Sequence, residues 1–375
     1  MLFSFTTEQE ELRQTVRRFL DDRSTSSAIR RLMQEREHDR DLWTAVSRDL
    51  GLCGVHIPER YGGQGLGFVE LGIVAEEMGR ALLVAPYFAS VVLAASAIMN
   101  AANDRQMAQL LPAIAAGETI ATLALAEPSG RWDAAGVALT ATTDGEVHRL
   151  DGVKSFVVDG CSADLIVVLG RACGSCGDDG LAFFAAAATA AGLERTPLTT
   201  LDATRRQARL VFSGVRAQML GELGSGAAAL SRTLDHAAVA LANEMVGGAQ
   251  RVLDMALDYV KARVQFGRSI GSFQAIKHRL ADLLLEVELA KAAAYHAAEV
   301  AGDESPDLPA VASLAKACAS DAFVLAASEN IQLHGGIGFT WEHDAQLYFR
   351  RARSSAALLG DAAHHREQVA RRWGL

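Results

Sequence analysis

The chain reads as mostly α with a central β domain, on three observations. In the first and last thirds apolar residues recur at helical spacing, and alanine is common there. The middle third instead carries short β-type runs separated by Gly, Asp and Ser clusters. With 375 residues, half of them apolar, the chain can bury two or three cores.

Residues 1–118 are predicted to be helical. Thr7 is expected to cap a first helix, with Glu8, Glu10 and Glu11 in its acidic first turn and Leu12, Val16, Phe19 and Leu20 on one face. Pro58 to Gly65 reads as a turn, and Phe68 to Leu82 as a further helix. Residues 119–223 are predicted to form a compact β domain. Its runs are Thr119–Leu125, Phe156–Val158, Leu165–Leu169 and Leu210–Phe212. Residues 224–375 return to helix: one through Val260, one from Phe273 to about Val300, a break over Gly302–Pro309, and one from Ala310 to Leu333.

A formal charge of −9 argues against nucleic acid as the main partner, although anionic small ligands need only a local basic pocket. Met1 to Glu8 lacks the basic and apolar regions of a signal peptide, and no uninterrupted apolar run has the length of a membrane span. Five cysteines fit reduced thiols better than a disulfide framework, so a cytoplasmic location is expected.

Two motifs carry chemistry. In Arg263-Val264-Gln265-Phe266-Gly267-Arg268, followed by Gly271-Ser272-Phe273-Gln274, a guanidinium can donate a planar fork to a pyrophosphate while Phe266 covers a flat ring. The plainer reading is a surface arginine beside a core phenylalanine. In Gln332-Leu333-His334-Gly335-Gly336-Ile337-Gly338-Phe339-Thr340, paired glycines allow close backbone approach to a phosphate or ring, and Gln332 offers both a donor and an acceptor. Here the plainer reading is a glycine helix cap. Other signals are weaker. Gly63-Gln64-Gly65-Leu66-Gly67 has no preceding strand, Cys173-Gly174-Ser175-Cys176 lacks a second ligand pair for zinc, and His364-His365 suits a solvated helix face.

In order and spacing, these motifs, with Pro58-Glu59-Arg60-Tyr61-Gly62-Gly63 and Gln274-Ala275-Ile276-Lys277-His278, resemble the acyl-CoA dehydrogenase family over nearly the whole chain. The resemblance implies an N-terminal helical domain, a β-barrel domain and a C-terminal four-helix bundle. It implies FAD as cofactor, an acyl-CoA substrate, electron-transferring flavoprotein as acceptor and a tetramer. It places the flavin between subunits, one holding the ring and the neighbour holding the adenine dinucleotide part. Arg263, Phe266, Gln274, Gln332, Gly335 and Gly336 match the neighbour-facing set.

The ring-facing and proton-accepting sets depart from the family pattern. Where the family has Thr-Glu-Pro, this chain has Ala126-Glu127-Pro128, and where it has Trp-Ile-Thr, the chain has Phe156-Val157-Val158. Phe156 is thus the candidate ring contact, without the hydroxyls. The family's glutamate base falls on Leu359, and the alternative helix position used by some branched-chain members falls on Ala237. Glu244 and Asp361 are the substitute candidates. Glu244 lies seven residues past Ala237, about 10 Å along the helix, and the competing readings are an arginine-paired helix glutamate and a helix-capping aspartate. The expected function is therefore one subunit of a heteromeric acyl-CoA dehydrogenase whose paralogous partner supplies the base. Such two-gene assemblies are a feature of actinobacterial steroid side-chain breakdown. The alternatives are a self-sufficient homomer using Glu244 or Asp361, and a non-catalytic subunit.

Overall fold

A computed structural model describes residues 4–35, 37–144, 147–302 and 305–375. Met1–Phe3 and part of the Gly302–Pro309 break lie outside the described residues. The chain divides into two compact units.

One unit comprises residues 1–33, 68–83 and 238–375. It holds α1 (Thr7–Arg23), α2 (Ser26–Leu32) and, later in the chain, α4 (Phe68–Arg80). The cap of α1 is Thr6, one residue earlier than expected. Thr6 Oγ1 accepts from Gln9 N–H, and the Gln9 side chain accepts from Thr6 N–H, so Thr6-x-x-Gln9 closes a reciprocal box with Thr7 as the first helical residue. Between α4 and the long helix that follows the β domain, the backbones approach until a Cβ on Gly79 would lie 1.9 Å from Glu244 O, and one on Gly247 would lie 1.9 Å from Glu76 O. Only glycine allows that contact.

The other unit comprises residues 34–67 and 84–237. It holds α3 (Arg40–Thr44), wide π turns over Phe88–Ala95 leading into α5 (Ser96–Ala101), α6 (Asp104–Ala115) and the β domain. The strands are β1 (Ala121–Ala124), β2 (Thr140–Asp144), β3 (Val147–Val158), β4 (Leu165–Ala172), β5 (Leu181–Ala187), β6 (Leu193–Pro197) and β7 (Gln207–Leu220). Strands β2, β3, β7, β5 and β4 pair in a closed ring, with β1 parallel on β4 and β6 antiparallel on β7. Leu150, Ile166, Val168, Phe184, Leu210, Phe212 and Val215 fill the barrel core.

Helix α7 (Gly226–Ala262) begins in this second unit and continues into the first. It is followed by the hairpin β8 (Val264–Gln265) and β9 (Arg268–Ser269), then α8 (Gln274–Gly302), α9 (Leu308–His334), α10 (Ala345–Ala357) and α11 (Ala362–Arg372). The 308–339 segment is long and apolar enough by composition to cross a membrane, contrary to the expectation of no such segment. Most of its apolar window is buried inside the protein, as for a core helix.

Candidate flavin-binding edge and proton-accepting positions

The Arg263 motif forms a tight hairpin. Phe266 (φ 54°) and Gly267 (φ 79°) occupy its two central positions, the left-handed pair that a two-residue hairpin requires. A phenylalanine pays twice there: positive φ is strained for a bulky residue, and its ring is 90% exposed. Its edge meets Phe273 at 6.2 Å, and the Arg268 guanidinium lies 4.0 Å over the Phe273 ring. Arg263 extends from the end of α7 into solvent, and its side chain has no hydrogen bond or ion pair among the described residues. Only its backbone is engaged: N–H donates to Tyr259 O, and O accepts from Ile270 N–H, both at 2.8 Å. Gln274 opens α8 and is exposed.

Gln332 lies exposed on the last turn of α9, and Gly335 (φ 63°) caps that helix. A Cβ at Gly335 or Gly336 would meet nothing within 4 Å, and Gly336 does not lie in the left-handed region. Nothing in the chain itself therefore requires glycine at 336. The loop beyond exposes Ile337, Phe339 (77% exposed) and Trp341. An unpaired guanidinium, solvent-exposed aromatic rings and an open glycine backbone fit a ligand that is both anionic and aromatic, as FAD is.

In the β domain, the residues expected to face the ring sit at a bulge. The β3–β7 register shifts between Lys154 and Val157, and Phe156 takes φ 58° with its ring 42% exposed. A buried ion pair, which the sequence reading missed, holds this bulge. Lys154 Nζ donates to Glu127 Oε1 at 2.8 Å and to Leu125 O at 2.9 Å, and Glu127 Oε1 also accepts from Ala138 and Leu139 N–H. Burial lowers the Lys154 pKa to about 8, against the pull of Glu127. Ser155 N–H donates to Ala126 O, tying the two stretches together. Ala126 and Val158 are buried and offer no side-chain donor.

The positions matching the family's base are alkyl and buried: Leu359 at 4% exposure and Ala237 at 0%. The turn carrying Leu359 keeps an unusual backbone, with Leu359 at φ 64° and Gly360 at φ 105°. Lys316 holds it from beneath, donating from Nζ to Gly360 O at 3.1 Å, Ala356 O at 3.3 Å and Ser320 Oγ at 2.9 Å. Burial pushes its pKa down to about 7. His365 Nε2 donates to Leu359 O at 3.2 Å. Glu244 is buried with its Oε1 3.0 Å from Arg351 Nη1, itself buried. Asp361 caps α11, its Oδ1 accepting from His364 N–H at 2.8 Å. Both substitute carboxylates thus take the alternative placements weighed from sequence: one faces an arginine, the other closes a helix.

Models of the acyl-CoA dehydrogenase N-terminal and C-terminal domains match residues 6–118 and 224–374. The chain belongs to the acyl-CoA dehydrogenase family. These are oxidoreductases, and the family is flavin-dependent. The chain is 35% identical over 359 residues to acyl-CoA dehydrogenase IpdE2 of Mycobacterium tuberculosis, covering 94% of this chain and 93% of that protein. Among solved structures it resembles a variant of the Tcur3481-Tcur3483 steroid ACAD (TM-score 0.88, 31% identity, 98% of each chain). It also resembles the ChsE4-ChsE5 complex of Mycobacterium tuberculosis (TM-score 0.90, 27% identity, 100% and 99% covered). The family's fold, helical segments before and after a closed β-barrel in chain order, is the one described above.

Proposed function

We propose that this chain is one subunit of a heteromeric FAD-dependent acyl-CoA dehydrogenase, lending the adenine-side grip to a flavin whose ring and base are held by a paralogous partner. The observation that carries this reading is a contrast within the chain. Arg263, Phe266, Gln274, Gln332, Gly335 and Gly336 are exposed, while both family base positions are buried alkyl residues. A group that takes the α-proton of a thioester must be a carboxylate near the substrate, with its pKa raised by desolvation. Leucine and alanine cannot accept a proton.

FAD, when bound, supplies the hydride acceptor. The chain's own work is to bind and orient. Arg263 offers its fork to the pyrophosphate, Phe266 covers the adenine, Gln332 adds a donor and an acceptor, and Gly335–Gly336 let the backbone close on the dinucleotide. Phe156 remains available as an apolar cover for a ring in this subunit's own β domain. The two solved assemblies named for paired proteins support a heteromer, and one of them is described as a steroid ACAD. A bulky acyl-CoA thioester as substrate and electron-transferring flavoprotein as acceptor complete the proposal. Reading Glu244 or Asp361 as the base would require breaking the Arg351 pair or the α11 cap.

The test is co-purification with the paralogous subunit. Flavin retained by the complex and lost on Arg263→Ala supports the reading. Flavin retained at full occupancy in that variant refutes it.

A further inference from the structure

Behind the exposed edge lies a column of three rings that the sequence motifs do not announce. Tyr259 sits one helical turn before Arg263 on α7, and its carbonyl accepts the Arg263 N–H. Its ring stacks on His334, centroids 4.1 Å apart and planes 28° from parallel. His334 is the last residue of α9, between Gln332 and Gly335. On its other side stands His343, 4.5 Å away and tilted by 54°. The column thus joins the end of the helix bearing Arg263 to both ends of the loop bearing Gly335 and Gly336.

Hydrogen bonds define the protonation of the two imidazoles. His334 Nδ1 lies 2.8 Å from Asn330 O, and a carbonyl only accepts, so this nitrogen carries the proton. His343 Nδ1 accepts from Ala345 N–H at 3.1 Å, so this nitrogen is bare. His343 therefore caps the first turn of α10 as a neutral ring. The loop's far end is also pinned from α2. Arg30 donates to Trp341 O, Glu342 O and Asp344 Oδ1, and Ser26 Oγ donates to Asp344 Oδ1.

We propose that Tyr259, His334 and His343 are positioning residues that hold Arg263 and the Gly335–Gly336 turn in register for the adenine dinucleotide, and that proton uptake by His343 releases this hold. The inference rests on the adenine-grip reading above. The chemistry is local. Neutral His343 already has its proton on Nε2, so a second proton can enter only at Nδ1, where it displaces the Ala345 N–H. The resulting cation faces His334 from α9 and Arg30 from α2, with Asp344 on its own segment as the opposing charge. Burial, His334 and Arg30 together hold the His343 pKa below its ordinary value, against Asp344. The neutral, capped form is thus complete above about pH 6.5 and is lost as pH falls through the depressed value.

The experiment measures FAD affinity by quenching of flavin fluorescence, on the complex with the paralogous subunit, between pH 5 and 8. His334→Ala is expected to weaken binding about tenfold at pH 7.5, the scale of one aromatic pair, and His334→Phe to recover most of that loss. The wild-type complex is expected to lose affinity on going from pH 7.5 to 5.5, by less than about tenfold because the depressed His343 pKa lies below 6.5. His343→Asn keeps an acceptor for Ala345 N–H but cannot titrate, so its affinity should fall less with acid than that of the wild type. Acid-sensitive groups elsewhere are common to both proteins and cancel in that comparison. Unaltered affinity in His334→Ala, or identical pH profiles for wild type and His343→Asn, would overturn the proposal. Arg263→Ala in the same assay separates the two levels. If it binds FAD normally, the grip reading fails; if it weakens binding while the histidine variants behave as wild type, only the ring-column inference fails.

Discussion

The Arg263–Gly336 edge and the Leu359 turn belong to the same compact unit and differ in almost every physical respect. The edge is open: an aromatic ring 90% exposed, a guanidinium without a side-chain partner among the described residues, and a glycine whose added Cβ would meet nothing described within 4 Å. The turn is closed: a buried leucine whose carbonyl is bonded to His365 and whose neighbour's carbonyl is bonded to a buried lysine. Solvated aromatics and strained backbone are costs that the isolated chain does not recover. The Leu359 turn also holds a positive φ, but its apolar side chain is buried and its carbonyls are hydrogen-bonded within the chain. The difference teaches that the chain's unmet binding capacity lies where another molecule would complete it, and not where a proton would be removed.

The strongest way to break that contrast is to attack Glu244. As one half of a buried ion pair, Glu244→Ala should cost about 3–5 kcal/mol by removing the carboxylate that faces buried Arg351, seen as a large fall in the denaturation midpoint. Had Glu244 been the base, the main effect would be loss of flavin reduction in a stable protein. Next in size, Arg263→Ala should weaken FAD binding in the complex by about 10- to 100-fold, the worth of charge-assisted hydrogen bonds, with the melting temperature of the lone chain unchanged. A global loss of stability would instead mean that Arg263 belongs to the fold.

Acid should act on the closed interior. Burial lowers the pKa of His56 and His365 to about 3, helped by His236 and Lys316 respectively, and that of His236 to about 4, helped by Arg232. Each imidazole is neutral when folded and takes up its proton near pH 6.5 when unfolded, so the unfolded state binds more protons between those values. Stability is therefore full above about pH 6.5 and falls below it by up to roughly 1.4 kcal/mol per pH unit per group. Urea titrations at pH 7 and 5 measure this, and equal midpoints would contradict it. The smallest effect is predicted for Asp361→Asn. Asparagine caps a helix as well as aspartate does, so stability should change by less than about 0.5 kcal/mol, and flavin reduction by acyl-CoA in the complex should persist. Abolished reduction would restore Asp361 as the base.

Local patterns were legible from residues alone. The helix expected through Val260 ends at Ala262, the one expected over Phe273–Val300 spans Gln274–Gly302, and the one expected over Ala310–Leu333 spans Leu308–His334. Helical periodicity and glycine or proline breaks are written into neighbouring residues. The open edge was legible for the same reason, since Arg263 to Gln274 and Gln332 to Gly336 are contiguous motifs. Features made by residues far apart were not legible. The Lys154–Glu127 pair beneath the Phe156 bulge joins residues 27 apart, Lys316 reaches Gly360 over 44 positions, and Glu244 meets Arg351 over 107. A lysine in an alanine-rich helix, as in Ser313-Leu314-Ala315-Lys316-Ala317, was the one available hint of a buried cation.

The most direct test of the central claim is the flavin absorbance and native mass of this chain purified alone and then with its paralogous subunit. The account predicts a lone chain without stoichiometric flavin and a complex holding about one flavin per pair of unlike subunits. A lone chain that binds one flavin per subunit and reduces it with an acyl-CoA would contradict it.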